Sequence, residues 1–245
     1  MKVLAFNCSP KMDKGSTALI LTPFLDGMRE AGATVEIFYT RKLKIRPCSG
    51  EFNCWFKTPG KCAFDDDMAM LLPKIKEADV VVYSTPLYAD GVSGPMKNLM
   101  DRQLPMGLPF LEFRDGRCRH PAPQGHKQGK LVLVSSCGLW EVDNFTPLVA
   151  HIEACSHNML KDFSGALLRP HSPAMALLGA DGVTFDDVFR AAREAGKQLI
   201  TDGKMSVENL ETVSRDLMPA EEFVDRLNQL VAAGLEAARK SNSNK

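Results

Sequence analysis

Three cysteines fall close together in IRPCSGEFNCWFKTPGKC (residues 45–62), spaced as Cys48-x5-Cys54-x7-Cys62. Thiolates gathered on one loop bind soft metals, hold iron–sulfur clusters or form a redox disulfide. Glu51 stands between the first two, where a further thiol would complete a four-sulfur set. A second group of chemistry-bearing residues lies in NCSPKMDKGSTAL (residues 7–19). Ser9, Ser16 and Thr17 supply hydroxyls there, and Lys11 and Lys14 supply positive charge. The segment leads into a helix whose first N–H groups have no partner inside the helix, which makes it a place for a phosphate monoester. Neither G-x-G-x-x-G nor G-x-x-x-x-G-K-[ST] occurs, so this is neither a dinucleotide fingerprint nor a P-loop. In STPLYADGVSGPMKNLMDR (84–102), a proline and a glycine hold an extended segment with Tyr88 and exposed amides, suited to lie along a flat heteroaromatic ring. In SSCGLWEVDNF (135–145), Ser136, Cys137 and Gly138 form a tight turn able to approach such a ring. Trp140 beside it reads as closing the core edge.

Strands and helices must alternate to bring these segments together. Apolar runs predict strands at 2–9, 34–40, 79–86, 130–138 and 162–170. Periodicity predicts helices at 16–32, 66–78, 93–103, 143–158, 185–202, 206–214 and 219–240. Pro23 should kink the first helix or displace its start. Asp65, Asp66 and Asp67 read as a cap for the helix beginning near Met68, and Ser93 as an N-cap with Pro95 in the first turn. Residues 104–129, with Pro105, Pro109, Pro121 and Pro123, break the rhythm and read as an excursion or lid. The last helix carries an apolar stripe of Phe223, Leu227, Leu230, Val231 and Leu235, and SNSNK reads as a frayed tail. The pattern is that of one α/β domain with the excursion at 104–129 and a C-terminal helical extension from about 185. Its centre would be a doubly wound, five-stranded parallel sheet with helices on both faces. Such sheets bind ligands beyond the carboxyl ends of their strands. The loops after strands one, three and four are therefore the ones to inspect.

Bulk properties narrow the functional classes. The 245 residues balance 30 basic against 30 acidic side chains, which removes any net-charge argument for nucleic acid or an anionic membrane. The longest apolar runs are strand-sized, and MKVLAF enters a strand with no signal-peptide core. The expectation is a cytoplasmic protein whose seven cysteines are thiols, ligands or redox groups rather than structural staples.

The loops taken together resemble a known family. CSPKMDKGST is similar to the phosphate loop GSPR-x-x-G-N-T of the NADPH-dependent FMN reductase family, and TPLYADGVSGPMKNLMDR to its isoalloxazine loop and following helix. RPCSGEFNCWFKTPGKCAFDDDM resembles the cysteine segment of that family's iron–sulfur flavoprotein branch, and DLMPAEEFVDRLNQL its C-terminal helix. The resemblance spans about residues 1–170. It implies a flavodoxin-like fold, noncovalent FMN, and electrons passing from NAD(P)H to a quinone, a flavin or another small acceptor. It also implies a homodimer or homotetramer whose contacts help enclose the flavin. The alternative within the resemblance is an electron carrier between protein partners. Carried over, Ser9, Lys11, Ser16 and Thr17 hold the phosphate; Pro86, Leu87, Tyr88 and Gly91 line the ring; Ser136, Cys137 and Gly138 lie opposite. No side-chain acid or base is required, and no catalytic residue is named. Cys8 replaces the usual glycine, Lys11 an arginine, and Gly15-Ser16 the usual Gly-Asn.

The iron–sulfur branch uses four thiolates, and here Glu51 takes the second position while Cys48, Cys54 and Cys62 match the others. Three thiolates with a carboxylate or foreign ligand, a Cys48–Cys54 redox pair, and zinc with a fourth ligand all remain open. The reading adopted is a former cluster loop now serving packing, subunit contacts or the active-site wall. His151 and His157, six apart on one helix, do not share a metal-binding face. The group Arg114, Arg117, Arg119, His120, His126 and Lys127 reads as a solvated surface, with attraction for a nicotinamide phosphate or an acidic substrate as the functional alternative.

Overall fold

The computed structural model describes residues 1–114 and 116–243. Its strands are β1 (Lys2–Asn7), β2 (Thr34–Tyr39), β3 (Val80–Pro86), β4 (Glu112–Arg114), β5 (Arg117–Arg119), β6 (Gly129–Ser136) and β7 (Lys161–Arg169). Its helices are α1 (Ser16–Glu30), α2 (Asn53–Phe56), α3 (Met68–Glu77), α4 (Gly94–Asp101), α5 (Thr146–Met159), α6 (Pro173–Ala180), α7 (Asp186–Thr201), α8 (Val207–Ser214) and α9 (Ala220–Ser243). Five strands pair in parallel in the order β2-β1-β3-β6-β7. This is the parallel α/β sheet that the alternation predicts, in the flavodoxin-like form that the family resemblance implies.

Alternate side chains of each strand feed two cores. Val3, Ala5, Val80, Val82, Val132 and Val134 pack beneath α1 and α7. Leu4, Phe6, Val81, Tyr83, Leu131 and Leu133 pack beneath α3, α4 and α5. Burial on both faces explains why these strands read as unbroken apolar runs. Helices α1 and α7 meet backbone to backbone. A Cβ on Gly27 would lie 1.9 Å from the Arg193 carbonyl oxygen, and one on Gly196 2.0 Å from that of Phe24. Helix α7, expected as part of an extension, thus completes the helical layer beside α1.

Several local expectations change. Helix α1 begins at Ser16 and continues through Pro23, so the proline displaces no start. Ser93 sits at the N-cap of α4, but its hydroxyl donates to the Cys8 carbonyl at 2.9 Å instead of capping the helix. The acidic run does more than cap α3. Asp66 accepts from the Met68 N–H, but it also receives a two-pronged bond from Arg102 at 2.7 and 2.9 Å, and Asp67 accepts from the Lys44 N–H. The excursion contains the β4–β5 hairpin. In α9, Phe223 and Leu227 pack with Ala174 and Met218, whereas Leu230, Val231 and Leu235 are exposed. The helix runs to Ser243, and of the expected frayed tail Asn244 and Lys245 lie outside the described residues. No described helix is long and apolar enough to cross a membrane.

Candidate functional site

Because the sheet is parallel, β1, β3 and β6 end on the same edge, at Asn7, Pro86 and Ser136. The loops that follow are bonded to one another. The Cys8 N–H reaches the Ser84 carbonyl at 2.7 Å, the Leu87 N–H reaches the Ser136 carbonyl at 2.9 Å, and the Thr17 and Ser136 hydroxyls lie 2.7 Å apart. Ser135 Oγ donates to the Thr85 carbonyl at 2.8 Å. Three segments far apart in sequence are thereby fixed at one edge of the sheet.

The first loop turns tightly. The Ser9 N–H donates to Asn7 Oδ1 at 3.0 Å and the Lys11 N–H to Ser9 Oγ at 3.3 Å. A Cβ on Gly15 would lie 2.6 Å from Ser9 Oγ, so a side chain there would push the serine hydroxyl out of its present place. Among the described residues no protein acceptor takes the Ser16 or Thr17 N–H, and Asn7 Nδ2 is buried without a partner. Ser16 is half-buried and Lys11 exposed, both at this turn. Unclaimed N–H groups at a helix start, a serine hydroxyl and a nearby ammonium fit a phosphate monoester. The Thr17 hydroxyl is engaged by Ser136, so in this arrangement it braces the two loops while its N–H stays available. Cys8 is fully buried, and burial pushes its thiol up to about 12, which keeps it a neutral packing group.

The second loop is a reverse turn rather than an extended segment. Tyr88 and Gly91 exchange N–H···O bonds of 3.1 and 3.0 Å, and between them Ala89 and Asp90 have φ of 47° and 58°. Two consecutive non-glycine residues in the left-handed region store strain, a feature that concentrates at functional sites. Pro86 and Leu87 are half-buried, and Tyr88 stands exposed at the tip. In the third loop Cys137 is buried, with its Sγ donating to the Leu139 carbonyl at 3.4 Å. Burial, first among the causes, raises its pKa. Gly138 is exposed, and a Cβ there would meet only Pro173 at 4.0 Å. One side of this turn is therefore clear of protein.

Two residues behind the third loop escaped the sequence reading. Arg169, at the end of β7, is fully buried and donates to the carbonyls of Val213, Ser214 and Arg215, capping the C-terminus of α8. Burial and the nearby Arg215 lower its pKa to about 10, so it stays charged at neutral pH. His171 Nδ1 lies 3.1 Å from the Trp140 carbonyl, which only accepts, so Nδ1 carries the proton. Nε2 then accepts from Arg169 at 3.0 Å and from the Leu217 N–H at 3.2 Å. Trp140 stacks on this imidazole at 4.1 Å, closing the core edge as expected. The only sequence signal was an Arg-x-His at a strand end.

The cysteine segment is held by other means. Cys48 is exposed, Cys54 buried and Cys62 intermediate. Burial raises the Cys54 pKa, and the charges of Cys62, Glu51 and Cys48 raise it further, so these groups lie within electrostatic reach of Cys54. The Glu51 carboxylate instead accepts a bond from Ser49. Among the described residues no three His, Cys, Asp or Glu side chains gather as a metal site. Iron–sulfur clusters favour full thiolate ligation; three thiols with no fourth in the segment, and a carboxylate engaged by Ser49 in the remaining position, do not fit a four-iron cluster. What pins the segment is Trp55, whose Nε1 donates to the Leu104 and Gly107 carbonyls, and Phe64, lying under the guanidinium groups of Arg46 and Arg102. Three of the excursion's cations are engaged: Arg114 with Glu112, Arg119 with Asn158, Lys127 with Asp79. His151 is half-buried and His157 exposed.

Parts of the chain are similar to known proteins. An iron–sulfur flavoprotein of Methanocaldococcus jannaschii is 36% identical over 110 residues, 45% of this chain and 55% of that protein. One from Archaeoglobus fulgidus is 36% identical over 102 residues, 42% and 48% of the two chains. The chain thus spans about half the length of the curated relatives it matches. The solved structure of an FMN-dependent NADH-azoreductase from Bacillus anthracis, in complex with FMN, superposes with a TM-score of 0.60 at 14% identity, covering 82% of this chain and 99% of that one. An NAD(P)H:quinone oxidoreductase from Methanothermobacter marburgensis gives 0.57 at 15% identity, covering 81% and 96%. These likenesses show a shared fold. Residues 1–142, which contain all three strand-end loops up to Val142, match NADPH-dependent FMN reductase, and the chain belongs to that family.

Proposed function

We propose that this protein is an FMN-dependent oxidoreductase that passes electrons from NAD(P)H to a quinone, a free flavin or another small acceptor. The observation that carries this reading is the bracing of the three strand-end loops, with unclaimed phosphate donors in the first and a protein-free face on the third. FMN, when bound, supplies hydride acceptance and electron transfer, while the protein supplies position and surroundings. Ser9, Ser16, the helix-start N–H groups and Lys11 bind the phosphate. Pro86, Leu87, Tyr88 and Gly91 flank the ring on one side, and Ser136, Cys137 and Gly138 on the other. The Leu87–Ser136 bond joins the two walls and the Thr17–Ser136 bond ties the second of them to the phosphate loop, so little ordering is left to occur on binding. The protein works as a homodimer or homotetramer, which light scattering tests.

The deciding experiment mixes FMN-loaded protein anaerobically with NADPH or NADH, then with menadione. Rapid loss of the flavin absorbance, restored by menadione, is expected. A flavin spectrum unmoved by either nucleotide overturns the reductase reading. A second reading has support from the iron–sulfur flavoproteins among the relatives: an electron carrier between protein partners. Reduction by a ferredoxin-type donor, with no response to nicotinamide, would select it.

A further inference from the structure

A cavity of about 260 Å³ lies at the opposite end of the sheet from the strand-end loops. It is bounded by the C-terminal halves of α4 and α5, by Leu160 just ahead of β7, and by the excursion ahead of β6. Trp55, Met100, Leu104, Met106 and Met159 give it apolar walls. Cavities of about 150 Å³ already hold benzene, so this one has room for a two-ring molecule.

Two of its imidazoles present an acceptor nitrogen. His120 Nδ1 lies 2.9 Å from the Phe110 carbonyl, so Nδ1 carries the proton and Nε2 is left as an acceptor. His126 Nε2 lies 3.2 Å from the Leu160 carbonyl, which leaves Nδ1 as its acceptor. Gln103 donates through Nε2 to Tyr83 Oη at 2.7 Å and to the Leu99 carbonyl at 3.2 Å; its Oε1 is covered by protein, so the two imidazoles are the acceptors a ligand meets. Lys97, the wall's cation, is paired with Asp101. Imidazole acceptors left open on a largely apolar wall favour a ligand that brings its own N–H or O–H. We propose that this cavity binds a one- or two-ring aromatic molecule bearing a hydroxyl or amino donor, a phenol or an arylamine, at a site separate from the strand-end loops.

The chain has two tryptophans, Trp55 on the cavity wall and Trp140 near the strand-end loops, so 5-fluorotryptophan labelling gives two fluorine resonances, assigned with Trp140→Phe. FMN-saturated protein is titrated with 2-naphthol and with 2-methoxynaphthalene, which has the rings but no donor. The expected result is a saturable shift of the Trp55 resonance by 2-naphthol, a still Trp140 resonance, and about tenfold weaker binding of the methoxy compound, the effect of one net hydrogen bond. His120→Phe should keep the packing on Trp55 and shrink that discrimination. Should this variant fail to fold, wild-type Cys155, half-buried on the wall, reports instead: 2-naphthol should slow its alkylation but not that of the exposed Cys118. The same titration without FMN should give the same shift, whatever the outcome for the flavin reading. No saturable Trp55 shift, equal affinities for the two compounds, or binding abolished by FMN would overturn the proposal.

Discussion

The loops at the ends of β1, β3 and β6 and the cysteine segment between β2 and α3 both concentrate reactive side chains, but they are held in different ways. The strand-end loops are tied to each other through strands that the sheet itself aligns, by the Thr17–Ser136, Leu87–Ser136 and Cys8–Ser84 bonds. The cysteine segment has no strand beneath it. It is pinned by one indole, one arginine fork and a ring between two guanidinium groups, none of which acts on the thiols as a set. Reactive residue types become a site only where the backbone converges, and the convergence at the sheet edge is why the flavin site is proposed there.

The sharpest way to test that contrast is to release the second region without touching the first. The Arg102–Asp66 pair is almost fully buried, at 1% and 4% side-chain exposure. Arg102→Met leaves a buried carboxylate alone and should cost about 3–5 kcal/mol. In a domain of this size that is about 2–4 °C of Tm per kcal/mol in thermal unfolding. FMN affinity of the folded fraction should stay within about twofold if the strand-end loops are braced independently. The pair also predicts a pH response. Burial would push the Asp66 carboxyl up, but bonds from Arg102 and from the Arg46 and Met68 N–H groups outweigh it and hold the pKa below its ordinary value. Its stabilisation is therefore complete above the unfolded carboxylate range of about 3.9 and fades as pH falls through the lower folded value. Asp66→Asn should flatten that part of an acid-unfolding curve.

Next in size is the first loop. Ser16→Ala with Thr17→Ala removes a phosphate hydroxyl and the brace to Ser136, and should weaken FMN binding about 10- to 100-fold, as for loss of a hydrogen bond to a charged group. Fluorescence titration reads it, and an unchanged affinity refutes the phosphate assignment. Smaller is the turn. Ala89→Asn with Asp90→Gly suits the left-handed backbone, and relief of that strain, net of glycine's entropy cost, should stabilise by about 0.5–1 kcal/mol in denaturant unfolding. Least of all is Cys48→Ser: an exposed thiol outside both cores should leave the flavin spectrum and stability unchanged.

How far the sequence carries follows the same divide. The apolar runs located all five sheet strands to within a residue or two, because burial on both faces leaves a continuous local signal. Helix α6 was missed because PAMALLGA is apolar all round and shows no periodic face, although Pro173 marked its start. The β4–β5 hairpin was lost inside the excursion because its strands are three residues each, although FRDGRC holds a turn signal. Residue types and strand-end logic pointed to Ser9, Ser16 and the turns at 86–91 and 136–138. The partners of Thr17, Ser93, Asp66 and Arg169 were not legible. Those bonds span 119, 85, 36 and 44 residues, and nothing local encodes them.

The most direct measurement is a visible spectrum of anaerobically purified protein, with iron and acid-labile sulfide assayed on the same sample. Chemistry seated in the strand-end loops predicts flavin bands with no stoichiometric iron or sulfide. A broad shoulder beneath those bands with stoichiometric iron and sulfide would return the cysteine segment to the centre of the mechanism, and a colourless protein that takes up no FMN would contradict the assignment of the strand-end loops.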